Sequence, residues 1–349
     1  MEGVLEKMNK KWIGRFVLYT IAIALFISAF FSLPYYITKP GMAQELEPII
    51  EVEGGYEEEG SFMLTTVVMG QANIYTYMLA KISEYQEIYP LSAIRAEEES
   101  DEEYKVRQLH SMSTSKLAAI EVAYKKANKP ITFEYKGVYV LSVMDGMPAM
   151  GQLEPGDRIF QVDELTFKSS EEFITYVGNK QAGDTITLYF ERDKKEENIT
   201  LPLKAFEADQ TKVGVGIGLV DDKEIIVEPE VTVETSDIGG PSAGLMFSLE
   251  IYNQLVKEDL TKGYNIAGTG TIDANGTVGR IGGIEQKVIA ADKADAEIFF
   301  APNEDGAAES NYLAAVQTAK DIDTNMKIVP IDTFEDAITY LEALEKKEE

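Results

Sequence analysis

The feature that most constrains this chain is an 18-residue stretch without a charged side chain, FVLYTIAIALFISAFFSL, at residues 16–33. The uncharged run continues through residues 34–38, long enough as a helix to cross a hydrocarbon core of roughly 30 Å. It predicts one N-terminal transmembrane helix over residues 16–38. Lys7, Lys10, Lys11 and Arg15 precede the run, Lys39 is the only basic residue soon after it, and Glu45, Glu47, Glu51 and Glu53 follow. Because basic residues flanking a span stay on the cytoplasmic side, residues 1–15 are expected in the cytoplasm. The rest of the chain is then expected outside the cell membrane, as the extracytoplasmic part of a single-pass protein. A cleavable signal peptide is the alternative, but its apolar region is about 7–15 residues long and ends in a small-x-small site. This run is longer, and Phe30-Phe31-Ser32-Leu33-Pro34 is no such site.

Composition removes several chemistries. The chain has 349 residues, Asp plus Glu 60 against Lys plus Arg 32, a net charge of −28, no cysteine and one histidine. Without cysteine there is no thiol nucleophile, disulfide framework or Cys-ligated metal, and His110 alone cannot build a multi-histidine site. No cofactor and no metal are expected. Nucleic acid is not an expected partner, since phosphates call for a basic surface.

After the apolar run, β-like segments occupy residues 46–53 and 62–69, separated by Gly54, Gly55 and an acidic turn. A helical stretch is expected over 71–85. The acidic run AEEESDEEY at 96–104 reads as a solvated connection or helix start. Leu117, Ile120 and Tyr124 recur at helical spacing, so an amphipathic helix is expected over 107–127. Residues 131–203 then read as a separate unit: strand GVYVLSV, the turn at Leu153-Glu154-Pro155-Gly156-Asp157, strand RIFQV, a helix over 171–177 and a closing strand over 184–192. Through Gly137-Val138-Tyr139-Val140, Met147-Pro148-Ala149 and LEPGDRIFQVDELTF, this unit resembles a bacterial PDZ domain. The resemblance implies a partly open β-barrel with helices over 131–205. It also implies peptide binding by strand addition at Gly137, Val138, Tyr139 and Val140, with a carboxylate held by backbone N–H groups there. A spacer or subunit contact is the alternative.

The second half carries Gly239-Gly240-Pro241-Ser242-Ala243-Gly244, followed by Leu245, Leu249, Tyr252 and Val256 at helical spacing. Gly240 allows close backbone approach, Pro241 suits the first helical position, and Ser242 then falls in a first turn among unpaired N–H groups that can stabilise an oxyanion. An ordinary helix-capping serine is the alternative. In GGIEQKVIAADKA, Ile284, Val288 and Ala291 define an apolar face and Lys287 lies on it. A lysine desolvated there loses pKa toward neutrality and can act as a general base, whereas one that snorkels to water does not.

Together these motifs resemble the proteolytic domain of Lon-type serine proteases, over Val231 to Asn303. The resemblance implies a Ser242–Lys287 dyad, with Thr269 as a supporting hydroxyl. Many Lon enzymes have an acidic residue just before the Gly of GPSAG; here that position is Gly239, with Asp237 close by. No G-x-x-x-x-G-K-[ST] phosphate loop occurs in the chain. The whole resembles exported, ATP-independent Lon-like proteases with a PDZ domain, of the Gram-positive type, in which the PDZ unit interrupts the Lon-like domain. An α/β (α+β) Lon-type fold is therefore expected from residues 39–130 and 206–349. The function implied is a membrane-anchored serine endopeptidase acting on peptides and flexible segments of exported or membrane-tethered proteins. A membrane-anchored PDZ scaffold with a catalytically silent Lon-like half is the alternative. Related Lon domains form rings, which leaves a homo-oligomer open. Two decoys are set aside: Ser113-Thr114-Ser115-Lys116 lacks the S-D-N and K-T-G partners of an S-x-x-K enzyme, and a triad would have to recruit His110 without a nucleophile elbow.

Overall fold

The computed structural model describes residues 2–96, 99–235 and 238–347. Helix α1 (Glu2–Ser28) does not extend through the uncharged run. The chain turns at residues 29–30 and enters strand β1 (Ser32–Glu45). The transmembrane helix expected over 16–38 is corrected accordingly: among the described residues no helix is long and apolar enough to cross a membrane. The physical reason is local. Pro34 cannot sustain a helix interior, and Tyr36, Ile37 and Thr38 bury their side chains as β1 pairs with its neighbours on both edges.

Strands β2 (Ile50–Val52) and β3 (Ser61–Asn73) follow, then helix α2 (Ile74–Ala80), strand β4 (Glu87–Pro90), the short helix α3 (Leu91–Ile94) and helix α4 (Asp101–Lys126). Asn73 caps α2 and Ser100 caps α4, each through a reciprocal capping box. Helix α4 thus starts inside the acidic run, where Asp101, Glu102 and Glu103 meet the positive end of the helix.

The next unit comprises β5 (Ile131–Val143), β6 (Arg158–Val162), α5 (Ser170–Gly178), β7 (Thr185–Arg192), β8 (Lys195–Pro202), the small pair β9 (Lys204–Phe206) and β10 (Asp209–Gly214), and β11 (Ile217–Val227). Its sheet is ordered β11-β5-β6-β7-β8 and is antiparallel throughout. Phe173 and Val177 of α5 close its core over Val138, Val140, Ile159, Ile186 and Leu188. The sheet of this unit continues past residue 205, because β11 pairs with β5 from Ile217↔Val143 to Val227↔Ile131.

The chain then returns through β12 (Val231–Val233) to helix α6 (Gly244–Leu255), β13 (Asn265–Gly268), the hairpin β14 (Thr271–Ile272) and β15 (Val278–Gly279), α7 (Ile284–Asp292), β16 (Ile298–Pro302), α8 (Asn311–Asp321), β17 (Lys327–Ile331) and α9 (Phe334–Glu342). A six-stranded mixed sheet, β17-β16-β13-β3-β1-β4, joins strands from both sides of the inserted unit. Strands β3, β13, β16 and β17 are parallel to one another, and β12 pairs with β2. The β-like runs before the insertion thus find their sheet. Helix α6 is almost wholly buried between α4, β2 and α9, with Leu245, Phe247, Leu249 and Ile251 in the main core.

Within that core Glu250 is fully buried, and Gln254 donates to one of its carboxylate oxygens at 2.5 Å. Burial is the main cause that raises its pKa to about 7, with Glu47 and Asp259 adding repulsion and neighbouring Glu58 raised as well. The folded state therefore holds a proton that the unfolded chain releases at lower pH, so this contribution to stability is present in acid and is lost as pH rises through about 7. Replacing Glu250→Gln should raise the melting temperature by about 2–4 °C at pH 8 and by less at pH 5, as differential scanning calorimetry at the two pH values will show.

Candidate active site

The dyad residues lie at the N-terminal sides of two helices, Ser242 just before α6 and Lys287 in the first turn of α7, and meet beside β3. Helix α7 starts at Gly283, whose φ of 69° is left-handed and whose Cβ, if present, would stand 2.8 Å from Val67. A glycine there lets α7 press against β3. Four residues on, Lys287 is 3% exposed, in a wall that includes Ile284, Val288 and Ala291. Strand β13 pairs with β3 only as far as Leu64. Beyond that point the edge of β3 is free of β13, and the Thr65 carbonyl accepts a hydrogen bond from Lys287 Nζ at 2.8 Å. The same Nζ lies 3.1 Å from Ser242 Oγ. Desolvation alone brings the Lys287 ammonium down from 10.5 to about 7. A buried, largely uncharged amine within hydrogen-bond reach of a half-buried serine is the arrangement a general base and its nucleophile require.

Ser242 does not sit in the first turn of α6. The helix begins at Gly244 with Ala243 as its N-cap. The reason is where the Ser242 carbonyl goes: it accepts from Thr269 Oγ1 at 3.0 Å and from the Gly270 N–H at 2.9 Å. Thr269, fully buried, therefore supports the backbone of Ser242 through that bond. Gly240, with φ of 84°, donates its N–H to the Gln108 carbonyl at 3.0 Å.

Helix α4 contributes more than the sequence indicated. Besides Gln108, Ser115 is buried and donates to the Pro241 carbonyl at 2.8 Å. The second serine of the S-T-S-K decoy is thus a strut under the loop that carries Ser242. Nothing in the sequence marks it except its place on the inward face of an amphipathic helix. His110 lines a cleft between α4 and the sheet of the inserted unit, and no hydrogen bond among the described residues joins it to Ser242. Gly239 is exposed, and Asp237 lies outside the described residues.

The expected peptide-binding edge at Gly137, Val138, Tyr139 and Val140 is not open. Strand β5 is flanked by β6 on one edge, at Val138↔Ile159 and Tyr139↔Arg158, and by the chain's own β11 on the other, where Asp222 faces Gly137 and Asp221 faces Val138. Ile217 and Leu219 of β11 pack on the core that contains Phe173 and Val177 of α5, and Asp221 accepts from the Ser170 N–H at 2.8 Å at the start of that helix. The outer strands of this sheet are β8 and, at the other edge, β11. Beside it a cleft of 640 Å³ is lined by Val106, Leu109 and Leu117 of α4 together with Tyr139 and Val220.

Comparison with known proteins agrees with this architecture. Residues 192–344 match the Lon protease (S16) C-terminal proteolytic domain, and residues 107–203 match a PDZ domain. The Lon protease of Campylobacter jejuni is 26% identical over 257 residues, 68% of this chain and 30% of the relative. That of Malacoplasma penetrans is 27% identical over 248 residues, 68% of this chain and 28% of the relative. This chain therefore spans under a third of the length of either. The crystal structure of the PDZ domain of an SdrC-like protein from Listeria monocytogenes is 41% identical, covering 25% of this chain and 90% of that one with a TM-score of 0.24. The fold and site thus combine a Ser–Lys pair in a mixed α/β domain with an inserted unit similar to a PDZ domain. Residues 192–344 are thus similar to the Lon S16 proteolytic domain.

The close fit under the Ser242 loop gives a test. A Cβ at Gly244 would stand 2.6 Å from Ser115 Oγ and 2.8 Å from Ile272 Cγ2. Gly244→Ala should lower the unfolding free energy by about 1–3 kcal/mol, read as a lower urea midpoint.

Proposed function

We propose that the protein is a membrane-tethered, ATP-independent serine endopeptidase working through Ser242 and Lys287. The observation that carries this reading is the 3.1 Å contact between Ser242 Oγ and the Nζ of a buried lysine. Neutral Lys287 takes the Ser242 proton as Oγ attacks a peptide carbonyl. Backbone N–H groups at the start of α6 hold the oxyanion, and Lys287 returns the proton to the departing amine. Water then attacks the acyl-enzyme, with Lys287 again as base. Thr269 and Ser115 are positioning residues that fix the carbonyls of Ser242 and Pro241.

The absence of a phosphate-binding loop motif in these 349 residues supports action on flexible segments that need no forced unfolding. Tethering is supported by the exposed apolar side chains of Phe16, Leu18, Ile21, Ile23, Leu25 and Phe26 on α1 and by the basic residues before them. Peptide recruitment by the PDZ unit is supported by the apolar cleft beside the free edge of β11.

The test follows cleavage of an unstructured peptide mixture by mass spectrometry. Ser242→Ala and Lys287→Arg should each lower cleavage by roughly 10³-fold or more, because arginine does not deprotonate in this range. The rate for the unmodified protein should climb with pH through about 7, the value to which burial brings Lys287. An active Lys287→Arg variant would contradict the dyad.

A further inference from the structure

Helix α2 carries an apolar stripe that its own core does not use. Its inward side packs on a small cluster with Ile37, Ala72, Ala80 and Tyr77. On the other side Tyr75, Met78 and Leu79 recur at i, i+3 and i+4, the spacing of a single helix face, and Ile82 follows in the turn just after the helix. They are 42%, 64%, 55% and 84% exposed. Phe30 and Phe31, also exposed, extend the patch from the neighbouring turn. Isolated exposed apolar residues are ordinary, but six on adjoining elements form a surface that calls for a partner.

Two observations identify that partner. The patch is bolted to the end of the apolar helix: Tyr75 Oη donates to the Leu25 carbonyl at 2.7 Å and lies 2.8 Å from Ser28 Oγ, and Asn73 Nδ2 donates to the Ala29 carbonyl at 3.0 Å. It also lies where acid is missing. In a chain of net charge −28, neither residues 7–44 nor residues 61–83 contain an Asp or Glu, while Lys39 and Lys81 are present. A surface approaching an anionic bilayer needs that lack of negative charge, whereas a protein partner does not require it.

We infer that α2 lies in the membrane interface as a second contact, with Tyr75, Met78, Leu79 and Ile82 at the boundary between headgroups and acyl chains. This rests on the reading of α1 as the tether. It deepens that reading by fixing the catalytic half against the bilayer. Strand β3 runs from α2 back to Thr65, eight residues away, so at about 3.3 Å per residue the dyad lies within roughly 25 Å of α2. The substrates in reach are then juxtamembrane segments and chain ends close to the bilayer.

The test uses the full chain in vesicles of phosphatidylcholine mixed with anionic phosphatidylglycerol, with and without brominated acyl chains. Trp12 is the sole tryptophan, so Trp12→Phe provides a silent background for Ile82→Trp and, separately, Phe26→Trp. The expected result is emission from both probes blue-shifted and quenched at least twofold by bromine. Quenching at Phe26→Trp without quenching at Ile82→Trp would overturn the interfacial role of α2 and leave the tether standing. No quenching of either probe would overturn both. A blue shift at Ile82→Trp that depends on protein concentration and ignores bromine would assign the stripe to a second copy of the chain, which also overturns the inference.

Discussion

Everything at the candidate site depends on keeping one amine out of water. Lys287 has lost its hydration to the wall formed with Ile284, Val288 and Ala291, and among the described residues it recovers hydrogen bonds from the Thr65 carbonyl and Ser242 Oγ. A charged ammonium there would forfeit several kcal/mol of solvation for two neutral acceptors, which is why its pKa falls to about 7. The chemistry is thus purchased by packing. Loosening the wall would admit water and return the lysine to its usual protonated state.

That packing is built by parts far apart in sequence. Thr65 belongs to β3, before the inserted unit, whereas Ser242 and Lys287 follow it. Gln108 and Ser115, which brace the loop around Ser242, come from α4, the last element before the insertion. The matched proteolytic segment at residues 192–344 therefore does not complete the sheet or the site without residues 32–126. The inserted unit joins the two halves through β5 and β11, which run side by side along their full length. Any change at the edge of that sheet adjoins α4, and α4 adjoins the Ser242 loop.

Much of this was legible before the fold was seen. GPSAG and the lysine on the apolar face of GGIEQKVIAADKA are local patterns, and local patterns read well because a helix fixes which residues share a face. What escaped depended on tertiary contacts. Ser242 falls outside α6 because its carbonyl is claimed by Thr269 and Gly270, neither of which is a helical neighbour. The uncharged run reads as one helix in hydropathy, yet its last residues have the better partner in β3. The edge of β5 reads as open because β11 lies some 80 residues further on and carries Asp221, Asp222 and Lys223, charges that disguise a strand. Ser115, an interior residue of the set-aside S-x-x-K motif, proved to be a strut.

The central claim is that Lys287 is largely neutral at physiological pH, and its own titration tests it most directly. With lysine labelled at the ε-carbon, the NMR resonance missing from the Lys287→Arg spectrum is that of Lys287, and its chemical shift can be followed from pH 5 to 11. The account predicts a midpoint near the value of about 7 that burial imposes. A midpoint near the ordinary value of 10.5 would mean a lysine protonated in use, and would contradict its role as the base.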